Sequence, residues 1–276
     1  LPLTLFAGTN ISLDQFGESV TFSSENKDLS LDMFEGKNVV VMFIQSWCGI
    51  CNRWAPNLIK QVEATYADSR DVYFVVLKTD GGGASEALKF WEGLGADSSR
   101  WFVGSDENAT LYKFLHGKVG LWDYTLITPD GNISYQGKIG SFSRGSSPTQ
   151  YILAKKDRMQ RYFGGAKYIL SEPLTLNPKL QSIVQKAELG MFDQAIIQCE
   201  EKKRVPDLSQ EVANLQQEIV EIANSRLKKQ TDLLRNNELS WNERFLAYQT
   251  LSQMVSEMNR SPSTNRVKPF LVRVRT

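Results

Sequence analysis

Three cysteines and one histidine, His116, are all the thiols and imidazoles in this 276-residue chain. A structural zinc ion takes about four such ligands. Beside the pair Cys48 and Cys51 there is no second Cys-x-x-Cys or Cys/His pair, so no metal site is expected. Three cysteines are also too few for a small scaffold stapled by disulfides. An excess of one charge is missing as well: 32 Lys and Arg against 31 Asp and Glu leave a net charge of +1. That balance gives no global pull toward nucleic acid or an anionic membrane surface. Long apolar runs are absent. The longest, Asn38 to Ile44, falls far short of the roughly 20 residues that cross a bilayer, so no membrane span is expected. Gly81-Gly82-Gly83 lacks the Lys-Ser/Thr ending of a phosphate-binding loop and reads as a connection. No cofactor is implied by any of these segments.

What the chain does have is enough apolar residue, 41%, to build substantial cores, and the length for two domains. We expect them at 1–165 and 166–276. The first part alternates strand and helix patterns. Leu3 to Phe22 is polar and β-prone with glycine punctuation, which suggests a hairpin at a sheet edge. Leu31 to Lys37 is a short turn leading into Val39 to Ile44, which is apolar on both faces as a covered central strand must be. After Cys51, residues Trp54, Leu58, Val62 and Tyr66 recur at helical spacing, with Pro56 expected to kink that helix. Val72 to Leu77 is a second buried strand, Ala84 to Leu94 a helix, Trp101 to Val103 a short strand and Ala109 to Leu115 another helix. Tyr124 to Gly137, turning at Pro129-Asp130-Gly131, is a hairpin. A helix from about Ser147 to Tyr162 closes the domain. The order implies an α/β fold with a mixed sheet.

Beyond that the pattern is helical only. Asn177-Pro178 caps a helix carrying Leu180, Ile183, Val184 and Ala187, and Gly190 stops it. A second helix spans about Phe192 to Lys203, and a third carries Leu208, Val212, Leu215, Ile219 and Ile222. Ser240 and Glu243 form a capping box that opens a fourth, whose stripe of Phe245, Tyr248, Leu251, Val255 and Met258 is expected to pack. Ala187 to Ile196 resembles the joint of one tetratricopeptide hairpin, without a second copy. A basic tail follows Arg260.

The chemistry sits at Trp47-Cys48-Gly49-Ile50-Cys51, where the buried strand gives way to a helix. A thiolate at a helix N-terminus is favoured by the helix dipole and the free backbone N–H groups. Cys48 is thus the candidate nucleophile and Cys51, one turn further in, the resolving thiol. Gly49 is expected to let the turn close tightly, and Ile50 adds no charge. A structural disulfide or half a zinc site are the competing readings. Cys199, on a face with Phe192, Ala195 and Ile196, reads as a buried thiol, and His116 as a surface or satisfied histidine.

Ser30-Leu31, Gly36-Lys37, the strand Val39 to Phe43, Trp47-Cys48-Gly49-Ile50-Cys51 and Pro56 together resemble the thioredoxin superfamily, in its TlpA-like and ResA-like redoxin branch. The hairpin from Tyr124 to Ile133 is similar to the branch's Thr-x-Leu-Ile-Asp-x-x-Gly segment, and the likeness runs from about Leu31 to Tyr162. It implies a thioredoxin-like mixed sheet flanked by helices, followed here by an all-α domain. It also implies a thiol–disulfide oxidoreductase acting on protein substrates through a redox partner protein, in the periplasm or another exported compartment. The start at Leu1, without an initiator Met, fits either a removed leader or a trimmed chain. Trp47, Gly49, Ile50 and Pro56 become supports of the Cys48/Cys51 site. The branch places a cis-proline before the hairpin, facing the cysteines, where this chain has Trp122 beside Asp123. These two are therefore substrate-facing candidates, with a packing Trp and a solvated Asp as the alternatives, and a trans bond is expected before Trp122. The branch often carries an acid that moves protons near the thiols, for which Glu35, Asp80 and Asp123 are candidates. The alternative function is a non-catalytic adaptor whose helical domain docks a protein partner or dimerises.

Overall fold

Asn38–Ile44 and Val72–Lys78 are seven-residue runs in which every residue is buried, and the first unit is built around them. The computed structural model describes residues 11, 13–23, 29–118, 120, 122–138, 152–171, 177–236 and 238–259. The chain divides into two compact units, Leu1–Lys167 and Tyr168–Thr276.

The first unit holds strands β1 (Thr21–Phe22), β2 (Asn38–Ile44), β3 (Val72–Lys78), β4 (Phe102–Ser105), β5 (Asp123–Ile127) and β6 (Ile133–Lys138). They form one sheet in the order β1-β4-β3-β2-β5-β6. Strands β2, β3 and β4 run parallel, while β1, β5 and β6 each pair antiparallel with their neighbours. Helix α1 (Gly49–Thr65), helix α2 (Gly83–Gly93), helix α3 (Thr110–His116) and the short α4 (Lys156–Met159) surround it. One face of β2, with Val40, Met42 and Ile44, packs with Ala55, Leu58, Ile59 and Val62 of α1 and with Ala87 and Trp91 of α2. On the other face Phe43 meets Tyr112 and His116 of α3 edge-on. Each fully covered side chain of this kind contributes about 1.5–3 kcal/mol, which is why β2 carries no polar alternation.

The turn into β2 is a 3-10 helix, Leu31–Phe34, followed by Gly36 at φ +79°, a left-handed value that glycine adopts without strain. Lys37 Nζ donates to the Lys167 carbonyl at 2.5 Å, and Asn38 exchanges two side-chain hydrogen bonds with Gly164. These bonds tie the end of the unit to the start of its central strand.

Two expectations change. Thr21–Phe22 does lie at a sheet edge, but its partner is β4, and the described residues before it include a 3-10 turn at Leu13–Phe16. The remainder of the expected N-terminal hairpin, residues 3–10 and 12, lies outside the described residues. The expected helix over 147–162 is broken in its described part into Ile152–Ala154, α4 and Gln160–Tyr162, with Lys155 off helical geometry. Leu153 and Met159 are both buried in the core. On a continuous helix they would point about 120° apart, and the break brings both inward. Residues 147–151 are not described.

The second unit stacks α5 (Gln181–Glu188), α6 (Phe192–Lys202), α7 (Ser209–Arg235) and α8 (Trp241–Asn259). The Asn177 side chain caps the entry by accepting from Lys179 N, and Gly190, at φ +80°, ends the first helix. Leu180, Ile183, Val184 and Ala187 are buried together with Val212, Leu215, Ile219, Ala223 and Leu227 of α7. The capping box of α8 is formed: Glu243 N donates to Ser240 Oγ, and Ser240 N to Glu243 Oε2. Of its expected packing face Leu251 is buried as expected, and Phe245 and Tyr248 are corrected. Ala247 and Leu251, four residues apart, are buried, whereas Phe245 and Tyr248 are 42% and 57% exposed. The side chains of Val255 and Met258, and the tail from residue 260, lie outside the described residues.

Cys199 is fully buried in α6, and burial pushes its thiol up to about 12. At a given pH it then holds about a thousandth of the thiolate of an ordinary cysteine. We expect Ellman's reagent to find no reactive thiol in the folded, oxidised protein and one after denaturation. Reaction in the folded state would refute a buried, inert Cys199.

Candidate redox site

Strand β2 delivers the chain to Gln45, and the next six residues fold back on themselves. Cys48 is the N-cap residue of α1, and its sulfur accepts from the Cys51 amide at 3.3 Å. Cys48 and Cys51 are joined as a disulfide with Cα atoms 5.3 Å apart. The turn is closed by Cys48 N donating to Gln45 O, Gly49 N to Trp47 O and Asn52 N to Cys48 O. No acidic residue stands in the first turn of α1, so nothing there opposes its positive end.

Both cysteines are nearly covered, at 2% and 4% exposure, while Trp47 and Ile50 stand out at 61% and 45%. The disulfide thus lies between two exposed apolar side chains. Gly49 has ordinary backbone, and a Cβ built on it meets nothing within 4 Å. The turn therefore does not need glycine to close, contrary to expectation; what the glycine leaves is open space between Cys48 and Ile50. Pro56 lies within α1 on its exposed side, where the helix runs on through to Thr65.

Polar contacts from both sides hold the segment before Cys48. Ser46 donates to Asp80 Oδ2 from its amide at 2.7 Å and from its hydroxyl at 2.5 Å. Asn52 Nδ2 donates to Ser46 O, and Gln45 Nε2 to Thr79 Oγ1. On the far side Trp122 Nε1 donates to Gln45 O at 3.2 Å. Asp80 in turn pairs at 3.1 Å with Lys78, which is buried at the end of β3 and also meets Glu86 at 3.0 Å. Burial alone would raise the Asp80 carboxyl, but the Ser46 bonds and Lys78 together hold it below its usual value. Burial alone would lower Lys78, and Glu86 and Asp80 reverse that. Asp80 is therefore an ionised clamp on the redox turn and not a store of protons.

Among the other candidates, Glu35 lies beside Gly36 and Lys37 at the start of β2, a full seven-residue strand from the cysteines, or about 20 Å. Trp122 is fully buried, in the same cluster as Cys48 and Cys51, so its side chain does not face substrate. Asp123 is buried too, at 3% exposure, and so is neither solvated nor open to substrate. It accepts from the Tyr112 hydroxyl, which itself accepts from Gly120 N. The reason is strand alternation: at the start of β5, Trp122 turns to the α1 face and Asp123 to the α3 face. The peptide bond before Trp122 involves Leu121, outside the described residues. His116 is satisfied by Thr125 Oγ1 at 2.9 Å, and burial pushes its imidazole below its usual value. Among the described residues no cluster of three or more His, Cys, Asp or Glu is placed to hold a metal, and no helix is long and apolar enough to cross a membrane.

Gln45, Ser46, Asn52, Lys78 and Tyr112 escaped the reading of the sequence. A signal existed for Lys78 alone: a lysine ending the apolar run Val72 to Leu77, two residues before an aspartate.

Residues 12–147 match the family model described as Redoxin. This stretch is a Redoxin domain of the thioredoxin superfamily. Cys48 and Cys51, joined as a disulfide, lie within that domain. Solved structures similar to the Redoxin domain include a secreted disulfide oxidoreductase of Mycobacterium tuberculosis, with 16% identity, 48% of this chain and 87% of that one covered, and a TM-score of 0.36. Another is the thioredoxin domain of a thiol–disulfide oxidoreductase from Bacteroides vulgatus, with 18% identity, coverage of 49% and 88%, and a TM-score of 0.35. StoA from Bacillus subtilis is similar at 18% identity, with coverage of 38% and 75% and a TM-score of 0.30. No curated protein matches the sequence.

Proposed function

We propose that the chain exchanges disulfides with protein substrates, with Cys48 as nucleophile and Cys51 as resolving thiol. The observation that carries this is the position of Cys48 as N-cap of α1, with the Cys51 amide aimed at its sulfur. The same geometry stabilises a thiolate at Cys48 once the disulfide is opened. In the reducing direction the Cys48 thiolate attacks one sulfur of the substrate disulfide. That bond breaks, a Cys48–substrate disulfide forms, and the released substrate thiolate takes a proton from water. Cys51 then loses its proton and attacks Cys48 Sγ, expelling the second substrate thiolate and closing the Cys48–Cys51 bond. Two electrons have passed from the dithiol to the substrate. Run backwards, the same steps oxidise a dithiol substrate.

Trp47 and Ile50, exposed on either side of the disulfide, offer an apolar contact to a protein chain, and the gap above Gly49 admits the attacking sulfur. Trp122 and Asp123 belong to the support of the site in this reading. The helical unit serves to hold a partner, and the exposed Trp241, Phe245, Leu246 and Tyr248 of α8 suit that role. An exported, oxidising compartment, periplasmic in a bacterium, is where such a pair is reloaded by exchange with other disulfides.

Titration of the protein in glutathione or dithiothreitol buffers is the test. A reversible two-electron couple assigned to Cys48 and Cys51 is expected. A potential near ~−270 mV would mark a reductase and one near ~−120 mV an oxidant. If no reversible couple is found, a structural disulfide on an adaptor replaces this reading.

A further inference from the structure

A single carbonyl connects the redox turn to the strand across from it. Gln45 O accepts both from Cys48 N, at 3.3 Å, and from Trp122 Nε1, at 3.2 Å. Gln45 itself is fully buried, and its side chain is held by Thr79, so this carbonyl is fixed from two sides. The Trp122 ring is fixed as well. It is fully buried against Trp91, with ring centroids 5.9 Å apart. Its neighbour Asp123 is anchored on the opposite face of β5 by Tyr112, which also holds Gly120.

We propose that Trp122 is a positioning residue for the redox pair: its indole N–H holds the Gln45 carbonyl, and with it the amide of Cys48, in the geometry from which the disulfide closes. The inference rests on the oxidoreductase reading above and extends it to a residue outside the Cys-x-x-Cys motif. Closing a disulfide between residues three apart demands one turn conformation. In the oxidised protein the S–S bond enforces that turn, whereas in the reduced protein only non-covalent contacts do. A donor locked on Gln45 O from outside the turn keeps the dithiol prepared for closure and favours the disulfide. By linkage, the hydrogen bond is then stronger in the oxidised protein than in the reduced one by the factor with which it shifts the redox equilibrium.

Trp91 supplies the control. It is equally buried and in the same cluster, but among the described residues its Nε1 has no hydrogen-bond partner. Trp122→Phe removes the donor while keeping an aromatic ring, and Trp91→Phe removes a comparable volume without touching the carbonyl. The experiment equilibrates full-length wild type, Trp122→Phe and Trp91→Phe in dithiothreitol buffers and counts thiols by mass after alkylation.

The Trp122→Phe disulfide is expected to be about fivefold easier to reduce, or about 20 mV more positive. Trp91→Phe, which loosens the packing of Trp122 but leaves its N–H on the carbonyl, is expected to shift the couple by less than half as much. Coincidence of Trp122→Phe with wild type, or equal shifts in both variants, overturns the proposal. Should Trp122→Phe not fold, indole hydrogen exchange on the wild type decides: the Trp122 N–H exchanges faster in the reduced protein, and equal rates overturn the idea. Absence of any couple in the wild type would instead sink the oxidoreductase reading itself.

Discussion

Cys48→Ser should abolish disulfide reduction, lowering insulin turnover by at least about a thousandfold, while the protein still folds. The size follows from the mechanism: a serine hydroxyl is un-ionised at neutral pH and cannot form the mixed disulfide, so no second path remains. The fold survives because the cavity left by exchanging sulfur for oxygen is small. Cys51→Ser separates the two roles. It leaves the nucleophile and removes the resolver, so it should accumulate a covalent adduct between Cys48 and substrate that appears as added mass and disappears with dithiothreitol. An active Cys48→Ser, or an adduct formed on Cys51 in place of Cys48, would reverse the assignment. The adaptor alternative predicts no adduct and no loss.

Asp80→Ala should be the most damaging substitution outside the cysteines. It strips Ser46 of its acceptor and leaves Lys78, 1% exposed, with only the half-exposed Glu86 as counter-ion. Breaking such a pair from one side costs more than the pair itself contributes, because the remaining charge stays buried; we expect about 2–3 kcal/mol. Asp80→Asn keeps an acceptor for Ser46 and should cost less. The pH dependence separates charge from packing. The Asp80 carboxyl is held below its usual 3.8 in the folded protein. Its extra stabilisation is therefore complete above that value and is lost as the pH falls from there through the folded value. The gap in urea midpoint between wild type and Asp80→Asn should be constant from pH 5 to 7 and should narrow below about pH 4. A gap that persists into acid would mean that the carboxylate's charge contributes nothing.

Much of this was legible in the sequence because it is local. The unbroken apolar run of β2, the glycine turn before it, the Asp130-Gly131 hairpin and the Ser240–Glu243 capping box each arise from residues a few positions apart. So does the Cys48–Cys51 pair, whose spacing alone places both sulfurs on one turn of a helix. The resemblance to redoxins added the expectation of a substrate-facing group at Trp122 and Asp123, and strand alternation placed both in the core.

What the sequence by itself determined is the redox pair and the strand and helix that carry it, since spacing along the chain sets both. Only the tertiary structure decided which residues hold that pair in place. Lys78 and Asp80 come to the turn from the end of β3 and just beyond it, more than 30 residues on, and Trp122 from the residue before β5, more than 70 residues on. It also decided that Ala247 joins the expected Leu251 in facing the core in α8, while Phe245 and Tyr248 stay exposed. Neither outcome has a period or a motif in the chain, because both depend on which distant backbone the fold brings alongside.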